Sequence, residues 1–406
     1  MKETRTSQRN LPDAPIAEKK DSVLTIHDDT RVDPYFWMRL TDEQKKAEKP
    51  DEQTQKVLDY LNAENKYTET ALKHTEGFQG ELYEEIVGRI KQTDESVPYK
   101  NNGYWYYTKY EEGKEYPIHC RKKESLDAEE EVMLNVNELA EGKEYYAASG
   151  LQVSPNNKIL AFGEDDVSRR IYTIRFKNLE TGEFLADKIE NTSGSGAWAN
   201  DNATYFYTTK NKVSLLSEKI WRHKLGTDKD VMVYEEKNPS YYIGVYKSKS
   251  KDYVMIWNSS TLSTEFHYLD ANKPTGKFQS VTPREKEMEY NVTHFGDKFY
   301  IVTNWNAKNF RLMETPVNAT GKENWKEVIP HRTDVLLQDI EVFKNHLVVS
   351  ERKNALTQIR VINQQDKSEH YLDFGEACYV ANVSVNPDFN TDLLRYSYSS
   401  MTTPNS

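Results

Sequence analysis

The chain is poor in the features that most directly reveal a chemistry. Among its 406 residues there are two cysteines, Cys120 and Cys378. Two thiols cannot build a disulfide framework, nor a zinc site on their own. Both sit in apolar, strand-like runs, so each is expected to be a buried, inert thiol. Long hydrophobic runs are also missing. Hydrophobic residues make up 37% of the chain, and the mean hydropathy is −0.86. No stretch approaches the roughly 20 apolar residues of a membrane-spanning helix. Met1 to Asn10 is polar and basic, with no apolar segment to serve as a secretory signal. The expected compartment is the cytoplasm, or the periplasm if an export signal lies upstream. Positive charge is the minority sign, with 54 Lys and Arg against 65 Asp and Glu, a net charge of −11. Phosphate backbones need a basic face, so nucleic acid is not an expected partner. Cationic ligands are compatible with this charge, and so is simple solubility.

Catalytic motifs are missing as well. A nucleophile elbow needs Gly-x-Ser-x-Gly, which places a serine on a tight strand-to-helix turn. The nearest string, Ser193-Gly194-Ser195-Gly196, lacks that spacing and reads as a glycine-rich loop between repeats. There is no His-Glu-x-x-His, no phosphate-cradling Gly-x-x-x-x-Gly-Lys and no dinucleotide fingerprint. His267, His294 and His331 fall at or near strand ends, where a hydrogen-bonded or solvated histidine is the ordinary outcome. Glu164-Asp165-Asp166 could face a basic peptide, but reads more simply as a solvated hairpin. Asp127-Ala128-Glu129-Glu130-Glu131 reads as surface charge. Arg169-Arg170 is either an exposed hairpin pair or a reach toward a second domain. No residue is therefore assigned a catalytic, cofactor-binding or metal-ligating role.

What the chain has in quantity is aromatic strand. Aromatics are 12% of the sequence, including 27 tyrosines, which argues for an ordered, β-rich protein. Residues 1 to about 22 read as an arm, and Leu24 to Arg39 as an extended segment packed on something larger. Val57, Leu58, Leu61, Ala71 and Leu72 suit a helix with one apolar stripe. Leu82, Ile86 and Ile90 suit a second, shorter one. Residues 1–98 are thus read as an N-terminal arm with short α-helices.

From Tyr99 the period becomes two. One phrase, strand–turn–strand, recurs every 40 to 50 residues or so, the mark of a β-propeller. Its copies include Gly103-Tyr104-Trp105-Tyr106-Tyr107-Thr108, Asp252-Tyr253-Val254-Met255-Ile256-Trp257 and Asp297-Lys298-Phe299-Tyr300-Ile301-Val302. The fold expected for residues 99–406 is mainly β, a seven-bladed propeller. Its blades begin near Tyr99, Leu151, Gly196, Tyr241, Tyr290, Ile340 and Val380. The seventh holds only about two strands before Ser406, so the last blade is expected to be incomplete.

The stretch Asp28-Asp29-Thr30-Arg31-Val32-Asp33-Pro34-Tyr35-Phe36-Trp37-Met38 resembles the D-P-Y-x-W-L opening of the prolyl oligopeptidase family of serine peptidases. Tyr60-Leu61-Asn62-Ala63-Glu64-Asn65 then resembles that family's Y-L-x-x-E-N helix. Ser154-Pro155-Asn156 opens a blade, and Arg169-Arg170-Ile171-Tyr172 is similar to a hairpin of the oligopeptidase B branch. The resemblance runs in order along essentially the whole chain. It implies a propeller that filters short peptides over a C-terminal α/β-hydrolase domain, which carries the serine, aspartate and histidine. It further implies cleavage after Arg or Lys. The hydrolase domain is not in this sequence, so the chain alone is expected to be inactive, with that domain and short basic peptides as its partners. The alternative is a stand-alone propeller that binds a peptide or protein partner. A propeller glycosidase would need paired carboxylates converging at the axis, and the sequence places none there.

Overall fold

The computed structural model describes residues 11–406. The expected arm over residues 1–22 falls partly outside them. The chain divides into two compact units, one up to Lys91 and one from Gln92 to Ser406.

The first unit opens with an antiparallel ribbon, Ser22–Ile26 paired to Asp29–Asp33. Its tight turn uses two left-handed residues, His27 (φ 53°) and Asp28 (φ 64°), as a two-residue hairpin with φ positive at both positions requires. The long helix Glu52–Leu72 starts where Asp51 caps it, the carboxylate accepting the Thr54 amide at 2.7 Å. A second helix spans Glu76–Gly88. Leu82 and Ile86 lie one turn apart on it, and both are exposed, as are Phe78 and Tyr83. No helix among the described residues is long and apolar enough to cross a membrane.

The second unit is the propeller. Three blades are four-stranded sheets, closed by Tyr242–Lys247 to Gln279–Ser280, Tyr290–Phe295 to Lys326–Ile329, and Leu336–Val342 to Glu369–Tyr371. The seventh contributes Tyr379–Val383 and Tyr396–Ser400, so the two-strand reading of the last blade holds. The blade faces explain the sequence. A strand in mid-blade is covered on both sides, so its period of two sorts residues between two neighbours rather than between core and water. Val254 and Ile256 pack with Ala197, Phe206 and Ile220 of the third blade. Met255, between them, packs with Phe299 and Ile301 of the fifth. Tyr300 and Val302 turn the other way, onto Leu337, Ile340 and Val349 of the sixth. Six such clusters join consecutive blades from first to seventh. Each fully buried aromatic or aliphatic side chain contributes about 1.5–3 kcal/mol.

Two features depart from the sequence reading. Ser193-Gly194-Ser195-Gly196 is not a loop. It lies in one 15-residue strand, Phe184–Trp198, which closes the second blade and opens the third, merging both into a seven-stranded sheet. The register shifts between Thr192 and Gly196, where Gly194 takes φ 89° and a Cβ would meet the Tyr172 ring at 2.7 Å. The glycines permit that crossing, not a catalytic elbow. The first blade also has a broken inner strand. Asp94–Glu95 and Tyr99–Asn101 both pair with Tyr104–Tyr110, separated by Val97-Pro98, where proline withholds a ladder donor.

Candidate functional site

The inner strands of the seven blades surround an axial channel, which holds a cavity of about 660 Å³. Every blade reaches it: Tyr99, Leu151, Trp198, Lys247, Thr293, Glu341 and Asn386 come from blades one to seven in order. The first blade's broken inner strand also opens Tyr107 and Thr108 of the next strand to the cavity. The walls are mixed, with Leu151, Val153, Met255, Val292 and Ile340 beside lysines, carboxyls and amides. The polar groups gather where the inner strands turn into the second strands, as at Asn102, Asn157 and Lys251.

That end is stitched by side chains. The Asn102 amide donates to Pro155 O at 2.8 Å and to Asn157 Oδ1 at 2.9 Å. The Asn156 backbone N–H donates to Asn202 Oδ1 at 2.8 Å. The Asn200 amide donates to Lys251 O at 3.1 Å, and Lys247 Nζ donates to Asn200 Oδ1. Lys249 of the fourth blade donates to Glu341 of the sixth, skipping the fifth. Its ammonium also lies 4.1 Å from the Phe343 ring centroid and 5.0 Å from that of Phe389. Burial pushes the Lys247 amine down to about 8, with the Lys251 charge adding to the effect. Burial also lowers Lys249 and Lys251 and raises Asp339 and Glu341.

One arrangement in the channel looks like a nucleophile–base pair and is not one. Ser250 Oγ lies 2.8 Å from His294 Nδ1, and Asp252 Oδ2 lies 3.6 Å from the same nitrogen. A working triad needs serine and carboxylate on opposite ring nitrogens. Here both face Nδ1, and Nε2 is buried without a partner. Burial lowers the histidine as it sits against Tyr253 and Phe299.

The other residues singled out in the sequence are dispersed. Ser195 is exposed on the shared strand. His267 lies in mid-strand within Thr264–Asp270, with Glu265 Oε1 3.6 Å from Nε2. His331 is half-buried in the connection between the fifth and sixth blades. The Glu164-Asp165-Asp166 run is not a solvated patch. Glu164 accepts from Tyr146 at 2.8 Å and from Arg175 at 3.0 Å. Asp165 is buried and accepts the Val167 and Arg170 amides at 3.0 and 2.7 Å. Asp166 pairs with Lys143. In the 127–131 run, Glu130 pairs with Lys109 and Glu131 with Arg121, so only its start is free surface charge. Cys120 is buried as expected, but Cys378 is exposed. It precedes the strand Tyr379–Val383 rather than lying in it. The alternating Lys247-Ser248-Lys249-Ser250-Lys251 was passed over in the sequence. An alternating basic run at a strand end, in an acidic chain, was the signal available.

Residues 15–406 match the family description "Prolyl oligopeptidase, N-terminal beta-propeller domain". The chain is 40% identical over 407 residues to "Dipeptidyl aminopeptidase BI" of Pseudoxanthomonas mexicana, covering 96% of this chain and 55% of that protein. It is 30% identical over 400 residues to "Protease 2" of Moraxella lacunata, covering 96% and 56%. Among solved structures it superimposes on oligopeptidase B from Leishmania major with a TM-score of 0.86 and 30% identity, covering 97% of this chain and 58% of that one. Oligopeptidase B from Trypanosoma brucei, in a closed form with covalently bound antipain, gives 0.85 at 30% identity, with 97% and 58% coverage. The chain spans about half the length of the curated relatives it matches. Its ring of blades, the inner-strand channel and the match from residue 15 to residue 406 place it in the prolyl oligopeptidase family, as that family's N-terminal β-propeller domain.

Proposed function

We propose that this chain is the substrate-filtering portion of an oligopeptidase B-like serine endopeptidase that cuts short peptides after Arg or Lys. The serine, base and acid are supplied by an α/β-hydrolase portion, and the chain by itself turns over no peptide. The observation that carries the reading is the match over nearly the whole chain to peptidases of which it covers 55% and 56%. The uncovered apolar face of Glu76–Gly88 supports it. A helix bearing exposed Phe78, Leu82 and Ile86 is built to be covered by something. Acyl transfer needs a nucleophile, a base and an oxyanion hole together, and the channel's Ser250–His294 contact does not supply them.

A second reading has its own support. The relative at 40% identity is named a dipeptidyl aminopeptidase, against 30% for Protease 2. On that reading the complete enzyme removes dipeptides from free amino ends. One experiment addresses both. The chain is assayed alone and after co-expression with the C-terminal portion of the Pseudoxanthomonas relative. One fluorogenic substrate is a blocked arginyl peptide, and the other is a dipeptidyl substrate with a free amino end. The expected result is no turnover alone and arginyl cleavage after co-expression. Turnover of the free-ended substrate only would select the aminopeptidase. The absence of both association and turnover would favour a stand-alone binding propeller. Turnover by the chain alone, resistant to serine-reactive inhibitors, would overturn the proposal.

A further inference from the structure

Three consecutive blades turn from first to second strand through the same six-residue loop. In the second, the Ser154 amide donates to Ile159 O at 2.8 Å and the Asn157 amide to Ser154 O at 2.8 Å. In the fourth, the Ser248 amide donates to Tyr253 O at 2.9 Å and the Lys251 amide to Ser248 O at 2.8 Å. The third closes in the same way, from the Ala199 amide to Thr204 O at 2.9 Å. The fourth residue of each loop is left-handed: Asn157 at φ 64°, Asn202 at φ 60° and Lys251 at φ 67°. Asparagine tolerates that conformation and lysine does not gain from it. The fourth blade thus puts a disfavoured residue where its two predecessors use the favoured one. Lysine takes the same conformation at the exposed Lys367 (φ 62°), so the turn alone assigns no role.

The role follows from where the lysine stands. Lys247, Lys249 and Lys251 all line the channel cavity. Lys249 is satisfied by Glu341. Among the described residues, Lys247 has only the neutral Asn200 Oδ1 as a side-chain partner, and no ion pair is formed by Lys247 or Lys251. Asp201, Asp252 and Asp388 act on these amines only through longer-range attraction. The remaining channel carboxyl, Asp339, accepts from the Ile340 amide and is raised toward its neutral form by burial. Two half-buried amines therefore share one cavity with no ion-paired carboxylate, an arrangement that a bound anion would complete. Leu151, Met255 and Val292 supply apolar wall in the same cavity.

We propose that this end of the channel is an oxyanion-binding site, in which Lys247 and Lys251 hold either the carboxylate terminus of a short peptide or a free oxyanion such as inorganic phosphate. The site belongs to the propeller itself. It requires neither a hydrolase portion nor any peptidase activity, so its failure and the failure of the peptidase reading are distinguishable.

The test is calorimetric titration of the full chain at pH 7 and low salt. The probes are inorganic phosphate, tetraalanine with a free carboxylate, and the same peptide amidated. The variants are Lys251→Asn, which restores the residue its sister turns carry, and Lys247→Met. The free acid is expected to bind about tenfold or more tightly than the amide, and to lose about tenfold in each variant. Lys251→Asn is expected to melt no lower than the parent, so a loss of binding there is not a loss of fold. Free-acid binding that competes with phosphate identifies the peptide carboxylate. Phosphate binding that is sensitive to both variants, without peptide binding, identifies a free oxyanion. No binding up to about 10 mM, equal binding of acid and amide with no phosphate binding, or undiminished binding by Lys251→Asn would overturn the proposal.

Discussion

His267 shows how far the fold can suppress a charge at one residue. Its ring lies 5.0 Å from that of Tyr234, and Nδ1 is buried without a partner. Glu265 stands nearby, but it is committed to Arg284, which also holds Glu236. Burial first, and the Arg284 charge second, push the imidazole down to about 4 from 6.5. A base whose folded value is depressed stabilises the fold above its unfolded value. That stability is lost as pH falls from 6.5 toward 4. Between pH 7 and pH 5 the loss from this one site comes to about 2 kcal/mol. Denaturant melts at the two pH values should therefore converge by about that amount in His267→Phe, and an unchanged gap would refute the assignment. The sequence could not have given this. It placed His267 near a strand end, and the suppression comes from burial and from Arg284, with the Tyr234 ring packed alongside. Tyr234 lies 33 residues before His267 in the chain and Arg284 17 after. The same limit applied to Cys378. Its apolar neighbours suggested burial, yet its strand starts one residue later.

At the scale of elements, periodicity was legible and continuity was not. Val254-Met255-Ile256 announces a strand because all three are apolar, and the structure explains the lack of alternation by a neighbour on each face. The helix reading held for Leu82 and Ile86, but Ile90 falls beyond the end of Glu76–Gly88. Leu82 and Ile86 are four apart, and they share a helix. The strand Phe184–Trp198 was missed because its glycines and serines carry turn chemistry. Only the packing of Gly194 on Tyr172 shows that they serve a crossing. Helix Glu76–Gly88 carries the prediction at this scale. Its Leu82 and Ile86 are 41% and 51% exposed, so each should tolerate charge within about 0.5 kcal/mol. Leu82→Lys/Ile86→Lys should leave the melting temperature of the chain nearly unchanged and abolish co-purification with a hydrolase portion. A large drop in melting temperature would mean that the stripe is already covered within this chain.

At the scale of the whole propeller, the ring is held unevenly. Blades one to four are laced at the channel end by Asn102, Asn157, Asn202 and Asn200, and blades four and six by Lys249 and Glu341. Between the seventh blade and the first, the described hydrogen bonding is one contact, Arg395 Nη2 to Val97 O at 2.8 Å. The seventh blade is also thinly cored. Ala381 is its one fully buried apolar residue, beneath partly buried Phe374, Tyr379 and Tyr398. Local opening follows the scarcity of buried apolar contacts and of protected backbone bonds. Hydrogen exchange should therefore be fastest, among the blades, in Tyr379–Val383 and Tyr396–Ser400 and next in Tyr99–Asn101. It should be slow in Tyr253–Ser259 and Lys298–Thr303, whose side chains are buried on both faces. Arg395→Met removes the one cross-seam donor and should lower global stability by no more than about 1.5 kcal/mol. It should nevertheless speed exchange in both flanking inner strands together, because each is the other's remaining restraint. Faster exchange in the seventh blade alone would show that the seam carries no load. Fastest exchange in the third to fifth blades would show that the ring opens somewhere other than this joint.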